Sequence, residues 1–387
     1  MKYSQLFGLA VISTAVISCA SVKIDNSPCA KAYYFDSYSN AIPICMESAI
    51  TGNAQAQLYL AQMYYNGLGI RNLTKAIHWY QEAAKNGNPE AEYFVGFMYN
   101  YGTIMESETQ RAATWYRKAS AQGVAMATAK MAWRYSVGLD DYGLVHNEYG
   151  LDDDSGFVTN DPANPYAVES NNWYRKAIKQ ALKNIATNQR SAEAGDAGSQ
   201  CTLAQYYKDG ININNQDVLI ADSGKSQFWA KAAATQGATC GEYQLGLDIL
   251  YGWAESENPH KPTPAQIQTG IDWLTKAANK GDLNALDKLG SLYIDNWHLV
   301  PRDTNTAMKY FAQAAKLGNP SSQYHLAEMY FYGIGITRDT CEAYRWYSAA
   351  ANQATKDNYL SIQAISQALS LDMGYLNARK PCKYLNQ

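Results

Sequence analysis

The sequence predicts an all-α protein, an α/α solenoid of about seven helical-hairpin repeats with a C-terminal capping helix. Three observations lead there. Glycines recur every 35 to 37 positions, from Gly52 to Gly87, Gly87 to Gly123 and Gly281 to Gly318. Each interval carries two runs of small and apolar residues at helical spacing, separated by a glycine-bearing turn such as Gly67-Leu68-Gly69. Such self-similarity means that each unit buries its apolar face only by stacking on its neighbours. The last unit then needs a cover, and 354–387 offers one: Leu360, Ala364 and Ala368 line one side of a helical pattern.

Taken in order, repeat one spans Gly52 to Gly87, with Ala54, Ala56, Leu60, Ala61 and Tyr64 in its first helix and Ala76, Trp79, Tyr80, Ala83 and Ala84 in its second. Repeat two follows to Gly123. Repeat three opens with AMATAKMAWRYSVG, but its second helix starts only near Trp173, after an insertion at about 139–168. That insertion holds Asp152, Asp153 and Asp154 among seven acidic residues and no Lys or Arg. The second helix then runs on to Gly195. Repeat four contains a polar loop, INNQDVLIADSGK, and repeat five a Pro-rich one, ENPHKPTP, that cannot be helical. Repeat six departs from the pattern at Asn296 and Lys309, and repeat seven ends near Gln353. The solenoid is expected over 48–353. Residues 19–47 lack clear periodicity and read as a tether, ordered only where Cys29 and Cys45 close a loop onto the first repeat.

These residues resemble the Sel1-like repeat family, relatives of the tetratricopeptide repeats. The marks are a small residue after a first-helix apolar residue (Leu60-Ala61, Val95-Gly96, Leu203-Ala204, Leu245-Gly246, Leu289-Gly290, Leu326-Ala327) and paired second-helix aromatics (Trp79-Tyr80, Trp115-Tyr116, Trp173-Tyr174, Trp346-Tyr347). The resemblance implies a protein-binding solenoid and says little about which protein is bound. By analogy with tetratricopeptide arrays, four first-helix positions per repeat line a concave face. They include Tyr65, Tyr93, Phe97, Trp133, Tyr243, Tyr324 and Phe331, aromatics of the kind that dominate binding hot spots. These residues and Asp152–Asp154 are the candidate partner contacts; the alternatives are that the aromatics fill gaps between helices and that the acidic loop is merely solvated.

The N-terminus carries its own signal. Lys2 precedes an apolar run, Leu6 to Ile17, too short to cross a bilayer and typical of a signal peptide over 1–18. Val16-Ile17-Ser18-Cys19 resembles a bacterial lipobox, which implies acylation of Cys19. With Ala20 after it, the expected address is the outer membrane of a Gram-negative bacterium, lipid-anchored and facing the periplasm. Six further cysteines remain in that oxidising space. They allow fifteen pairings, of which the sequence-local ones are Cys29–Cys45, Cys201–Cys240 and Cys341–Cys382. The middle pair falls on the concave face in adjacent first helices; free buried thiols are the alternative.

A formal charge of −3 and the lack of any basic stripe argue against a nucleic-acid partner. No HExxH, GxSxG, SxxK or phosphate-cradling glycine motif occurs, Asp152–Gly156 does not fit a calcium loop, and no metal or cofactor is expected. The leading expectation is a non-catalytic lipoprotein scaffold, monomeric until it holds one protein partner. That partner is an envelope assembly component or a toxin; in the second case the chain is an immunity protein against a periplasmic type VI secretion toxin such as a phospholipase. A sensor of glycan or peptidoglycan fragments and, last, a cell-wall or β-lactam hydrolase are the other readings.

Overall fold

A computed structural model describes residues 27–67, 71–101, 108–137, 165–251, 262–295 and 299–352. Its architecture is a right-angled succession of nothing but paired helices, apart from one β-hairpin. An N-terminal pair, α1 (Pro28–Phe35) and α2 (Tyr38–Ala49), precedes seven hairpins. The first three are α3 (Ala54–Asn66) with α4 (Leu73–Lys85), α5 (Pro89–Tyr101) with α6 (Thr109–Ala121), and α7 (Ala125–Ser136) with α8 (Pro165–Glu193). Then come α9 (Ala197–Asp209) with α10 (Ser223–Thr235), α11 (Thr239–Tyr251) with α12 (Pro264–Asn279), α13 (Leu283–Asp295) with α14 (Thr304–Lys316), and α15 (Pro320–Tyr332) with α16 (Thr340–Asn352). We call the first helix of each pair A and the second B.

The junction between repeats is written in a short code. A glycine with positive φ ends helix B, as at Gly87 (φ 82°), and an Asn or Asp follows to cap the next helix A. Asn53, Asn88, Asp282 and Asn319 each accept a backbone N–H three residues on, at 2.9–3.0 Å. A buried glutamine then ties the new helix to the previous repeat. Gln57, Gln200 and Gln323 donate to the carbonyls of Ala49, Ala192 and Ala315 at 2.9–3.0 Å, each satisfying a carbonyl that the end of the preceding helix leaves open.

Within a repeat, the small residue after the apolar mark is where A and B touch. A Cβ at Gly96 would lie 2.9 Å from the Tyr116 ring, one at Gly246 2.8 Å from Leu274, and one at Gly290 2.6 Å from Phe311. The aromatic or aliphatic knob therefore sits directly on the helix A backbone, and Tyr116 and Phe311 are wholly buried.

Three expectations are corrected. From Pro28 onward the stretch read as a tether is a helical hairpin, joined by the Cys29–Cys45 disulfide. Its Tyr-, Ser- and Asn-rich composition and Pro43 inside α2 hide the helical period. Helix α8 begins at Pro165, inside the segment assigned to the insertion. The polar loop of repeat four is a β-hairpin: β1 (Ile211–Ile213) pairs antiparallel with β2 (Gln216–Leu219). Asn214 and Asn215 sit at φ 53° and 60°, the left-handed pair that a two-residue hairpin turn requires. The capping segment 354–387 lies outside the described residues.

The array also meets itself. The N–H of Tyr38, at the start of α2, donates to the carbonyl of Lys280, which ends α12, at 3.0 Å. The N–H of Arg71, just ahead of α4, donates to the carbonyl of Leu317, which ends α14, also at 3.0 Å. Gly67 packs against Leu283, leaving no room for a Cβ. Two B helices thus stand head to tail on the B helices five repeats later, N-terminal positive end on C-terminal negative end. One superhelical turn is closed.

Replacing Gly290 with valine forces the buried Phe311 ring off its seat. We expect a loss of about 1–3 kcal/mol, read as a lower urea midpoint with an unchanged slope.

Candidate functional site

The concave face of the solenoid is where the sequence places ligand contacts, and the structure shows what lies on it. Helix α1 packs there against α3 and α11. The Tyr33 ring stacks on Tyr59 with centroids 4.6 Å apart, and Tyr34 meets the same ring edge-on. The tip of Tyr34 rests on Gly198 of α9, where a Cβ would come within 2.8 Å. Tyr38 is 4 % exposed and its hydroxyl bonds to Thr239 at the start of α11. Three consecutive-turn tyrosines of the N-terminal hairpin therefore fill the space between A helices of repeats one, four and five.

Carboxylates surround this aromatic plug. Glu90 is buried and accepts from the Gln62 amide at 2.8 Å. Glu242 pairs with Lys280, whose Nζ lies 3.0 Å from Oε1, and Lys280 also donates to the Gly237 carbonyl at 2.6 Å. Asp282 is 4 % exposed; burial pushes its carboxyl up to about 6, its two backbone hydrogen bonds pull the other way, and Glu242 nearby adds to the rise. Desolvation likewise raises the hydroxyls of Tyr33, Tyr34 and Tyr38 well above the usual tyrosine range.

The candidate contact residues consequently divide. Tyr93 is only 2 % exposed and Tyr324 8 %, so both are packing residues; each lies against the wholly buried or nearly buried B-helix tyrosine of its own repeat, Tyr116 and Tyr347. Tyr65 packs edge-on to Tyr80 and Tyr243 is half-buried at the edge of the cluster that includes Leu283. Phe97, Trp133 and Phe331 are half-buried. Asp152, Asp153 and Asp154 lie outside the described residues, as does Cys19.

Phe97 and Trp133 belong to a patch that the sequence offsets only partly captured. Phe97 and Tyr101, one turn apart on α5, have ring centroids 4.5 Å apart, and Tyr101 is 41 % exposed. Lys130 of α7 reaches across, donating to the Tyr101 hydroxyl at 2.8 Å with its ammonium 5.2 Å from the ring centre. Trp133 stands one turn further along α7. Tyr101 was missed because it falls one residue outside the assigned offsets; its spacing of four from Phe97 is the signal that could have found it.

Among the described residues, Cys29–Cys45 and Cys201–Cys240 form as the sequence-local pairing has them, and no group of three or more His, Cys, Asp and Glu is placed to hold a metal ion. Cys341 is disulfide-bonded, and its expected partner Cys382 lies outside the described residues. Cys201–Cys240 staples adjacent A helices at the surface, while Cys29 and Cys45 are 1 % and 0 % exposed.

A family model described as Sel1 repeat matches residues 54–88, 89–124, 197–237, 241–282, 284–319 and 320–354. Each match covers one A–B hairpin, and the gap coincides with α7 and α8, which the insertion separates. Chitin synthase regulatory factor 3 of Schizosaccharomyces pombe is 27 % identical over 299 residues, covering 75 % of this chain and 30 % of that protein. An uncharacterized protein of Neisseria meningitidis is 25 % identical over 321 residues, covering 76 % and 65 %. The chain thus spans between about a third and two thirds of the length of these relatives. A solved Sel1 repeat protein from Oxalobacter formigenes aligns at a TM-score of 0.38 and 20 % identity, over 90 % of this chain and 97 % of the other.

The difference in exposure orders the two disulfides. Under native conditions a dithiol is expected to reduce Cys201–Cys240 well before Cys29–Cys45, as followed by alkylation and peptide mapping. Replacing both Cys201 and Cys240 with alanine should lower stability by about 2–4 kcal/mol in urea.

Proposed function

Because the chain belongs to the Sel1 repeat family, we propose that it is a non-catalytic scaffold that holds one protein partner, tethered to the outer membrane through Cys19 and exposed to the periplasm. The observation that carries the binding reading is the aromatic patch of Phe97, Tyr101, Lys130 and Trp133. It presents two stacked rings, a cation and an indole from neighbouring A helices, on elements held rigid by the repeat junctions. Aromatic groups of this kind lose little side-chain freedom on binding and bury large area, which is why they anchor interfaces. The two disulfides support the compartment, since such bonds persist in oxidising spaces.

The partner's class separates the roles. A component of envelope assembly makes the chain an adaptor; a lipase-like effector makes it an immunity protein.

Mature protein immobilised through its C-terminus is expected to retain one partner from envelope extract, identified by mass spectrometry. The double substitution Phe97→Ala, Trp133→Ala should weaken that complex by about thirtyfold, the loss of about 2 kcal/mol typical of hot-spot truncation, while leaving the helical melt nearly unchanged. Equal retention by both forms contradicts the assignment of the patch. For the tether, Cys19→Ala is expected to move the protein from the membrane fraction to the soluble periplasmic fraction and to abolish palmitate labelling.

A further inference from the structure

The closure of the superhelical turn has an unusual seat. The first turn of α2 carries no side-chain cap from Ser37; its leading N–H is satisfied instead by Lys280, five repeats away in the array. Directly beneath it lie Tyr38, the Glu242–Lys280 pair and the buried Asp282 carboxylate, which caps α13 through the Ala285 N–H at 2.9 Å. Beside the seat is a cavity of about 380 Å³ lined by Ser37, Ser39, Lys280, Leu286, Gln313 and Lys316. The junction is therefore narrow, polar and flanked by open space, unlike the close-packed contacts between successive repeats. It also joins segments far apart in sequence, so nothing in the repeat-to-repeat stacking obliges it to stay shut.

We propose that the α1–α2 hairpin is a pH-sensitive latch, seated on repeats five and six in acid and released as the pH rises, with Asp282 as the controlling group. Asp282 is faced by Tyr33 of α1, Tyr38 of α2, Glu242 and Tyr243 of α11, and Lys280 at the end of α12. Lys276 of α12 acts on it only through Glu242, Lys316 of α14 borders the adjoining cavity, and α15 contributes the neutral Asn319 amide, which donates to the Leu283 carbonyl at 3.4 Å. Lys280 is engaged by Glu242 and the Gly237 carbonyl, so no cation is left to neutralise the Asp282 charge directly.

The sign follows from linkage. In the closed form burial holds the Asp282 carboxyl at about 6; opening admits water and returns it toward the ordinary value of 3.8. The closed form thus binds the proton more tightly. Its advantage is complete below 3.8 and is lost as the pH rises through 6. Glu242, also raised by burial, acts in the same direction. Opening would uncover Tyr33, Tyr34 and Tyr59, converting a filled concave face into an aromatic one. This reading is independent of which partner the scaffold holds.

Hydrogen–deuterium exchange on the full chain tests it, with rates corrected for intrinsic pH dependence. Protection of the Tyr38 and Arg71 amides is expected to fall about tenfold between pH 5 and pH 8, the ratio set by values of about 6 and 3.8, while Leu203 and Ala204 in α9 stay unchanged. In Asp282→Asn, which keeps a capping side chain, the tenfold difference should vanish. Equal protection at both pH values in the unmodified chain overturns the proposal, whether or not the variant folds. Persistence of the full difference in the variant overturns the role of Asp282.

Discussion

The structure depends on how closely helix A can approach helix B within each repeat. Where Gly96, Gly246 or Gly290 faces a tyrosine, leucine or phenylalanine, the side chain rests on bare backbone. That contact fixes the angle of the pair, and the buried glutamines at 57, 200 and 323 fix the step from one pair to the next. Small rotations repeated in this way add up to a defined curvature. Here the sum brings α2 over α12 and α4 over α14, so local packing determines a contact between residues more than two hundred positions apart.

Closure explains the fate of the concave face. A turn that meets itself encloses its inner surface, and that surface is apolar enough to need filling. Helix α1 does so with Tyr33 and Tyr34, at the expense of bringing carboxylates such as Glu90 and Asp282 into a poorly hydrated space. Additional chain appears elsewhere on the array. The entries to α2 and α4 are covered by the ends of α12 and α14, whereas the entry to α10 carries the β1–β2 hairpin and the entry to α8 follows the long acidic insertion. Length is thus tolerated where no second turn overlies the first.

Much of this was legible in the sequence because it is local. The positive-φ glycines at 67 and 87, the apolar-small pairs, the Trp-Tyr pairs and the long run of α8 all report on contacts within one or two repeats. Cys201 and Cys240 were also legible, since corresponding positions in neighbouring A helices must face one another. The β-hairpin was there to be read in Asn214-Asn215 between alternating isoleucines, but the surrounding polar residues masked it. Closure was not legible: the partners of Tyr38 and Arg71 are backbone carbonyls, which leave no trace in side-chain identity. For the same reason helical offsets named Tyr93 and Tyr324 as facing a groove without revealing how little of either side chain reaches solvent, while Phe97 and Trp133 kept part of theirs.

The account rests on a solenoid that closes on itself in solution with its N-terminal hairpin inside the turn. Spin labels at Ser39 and Lys316, two exposed positions bordering the same cavity, report on this directly through their dipolar coupling. A single narrow distribution at short distance is expected at pH 5. A long, broad distribution there would mean that the array is an open spiral and that the concave face is free, contrary to everything built on its closure.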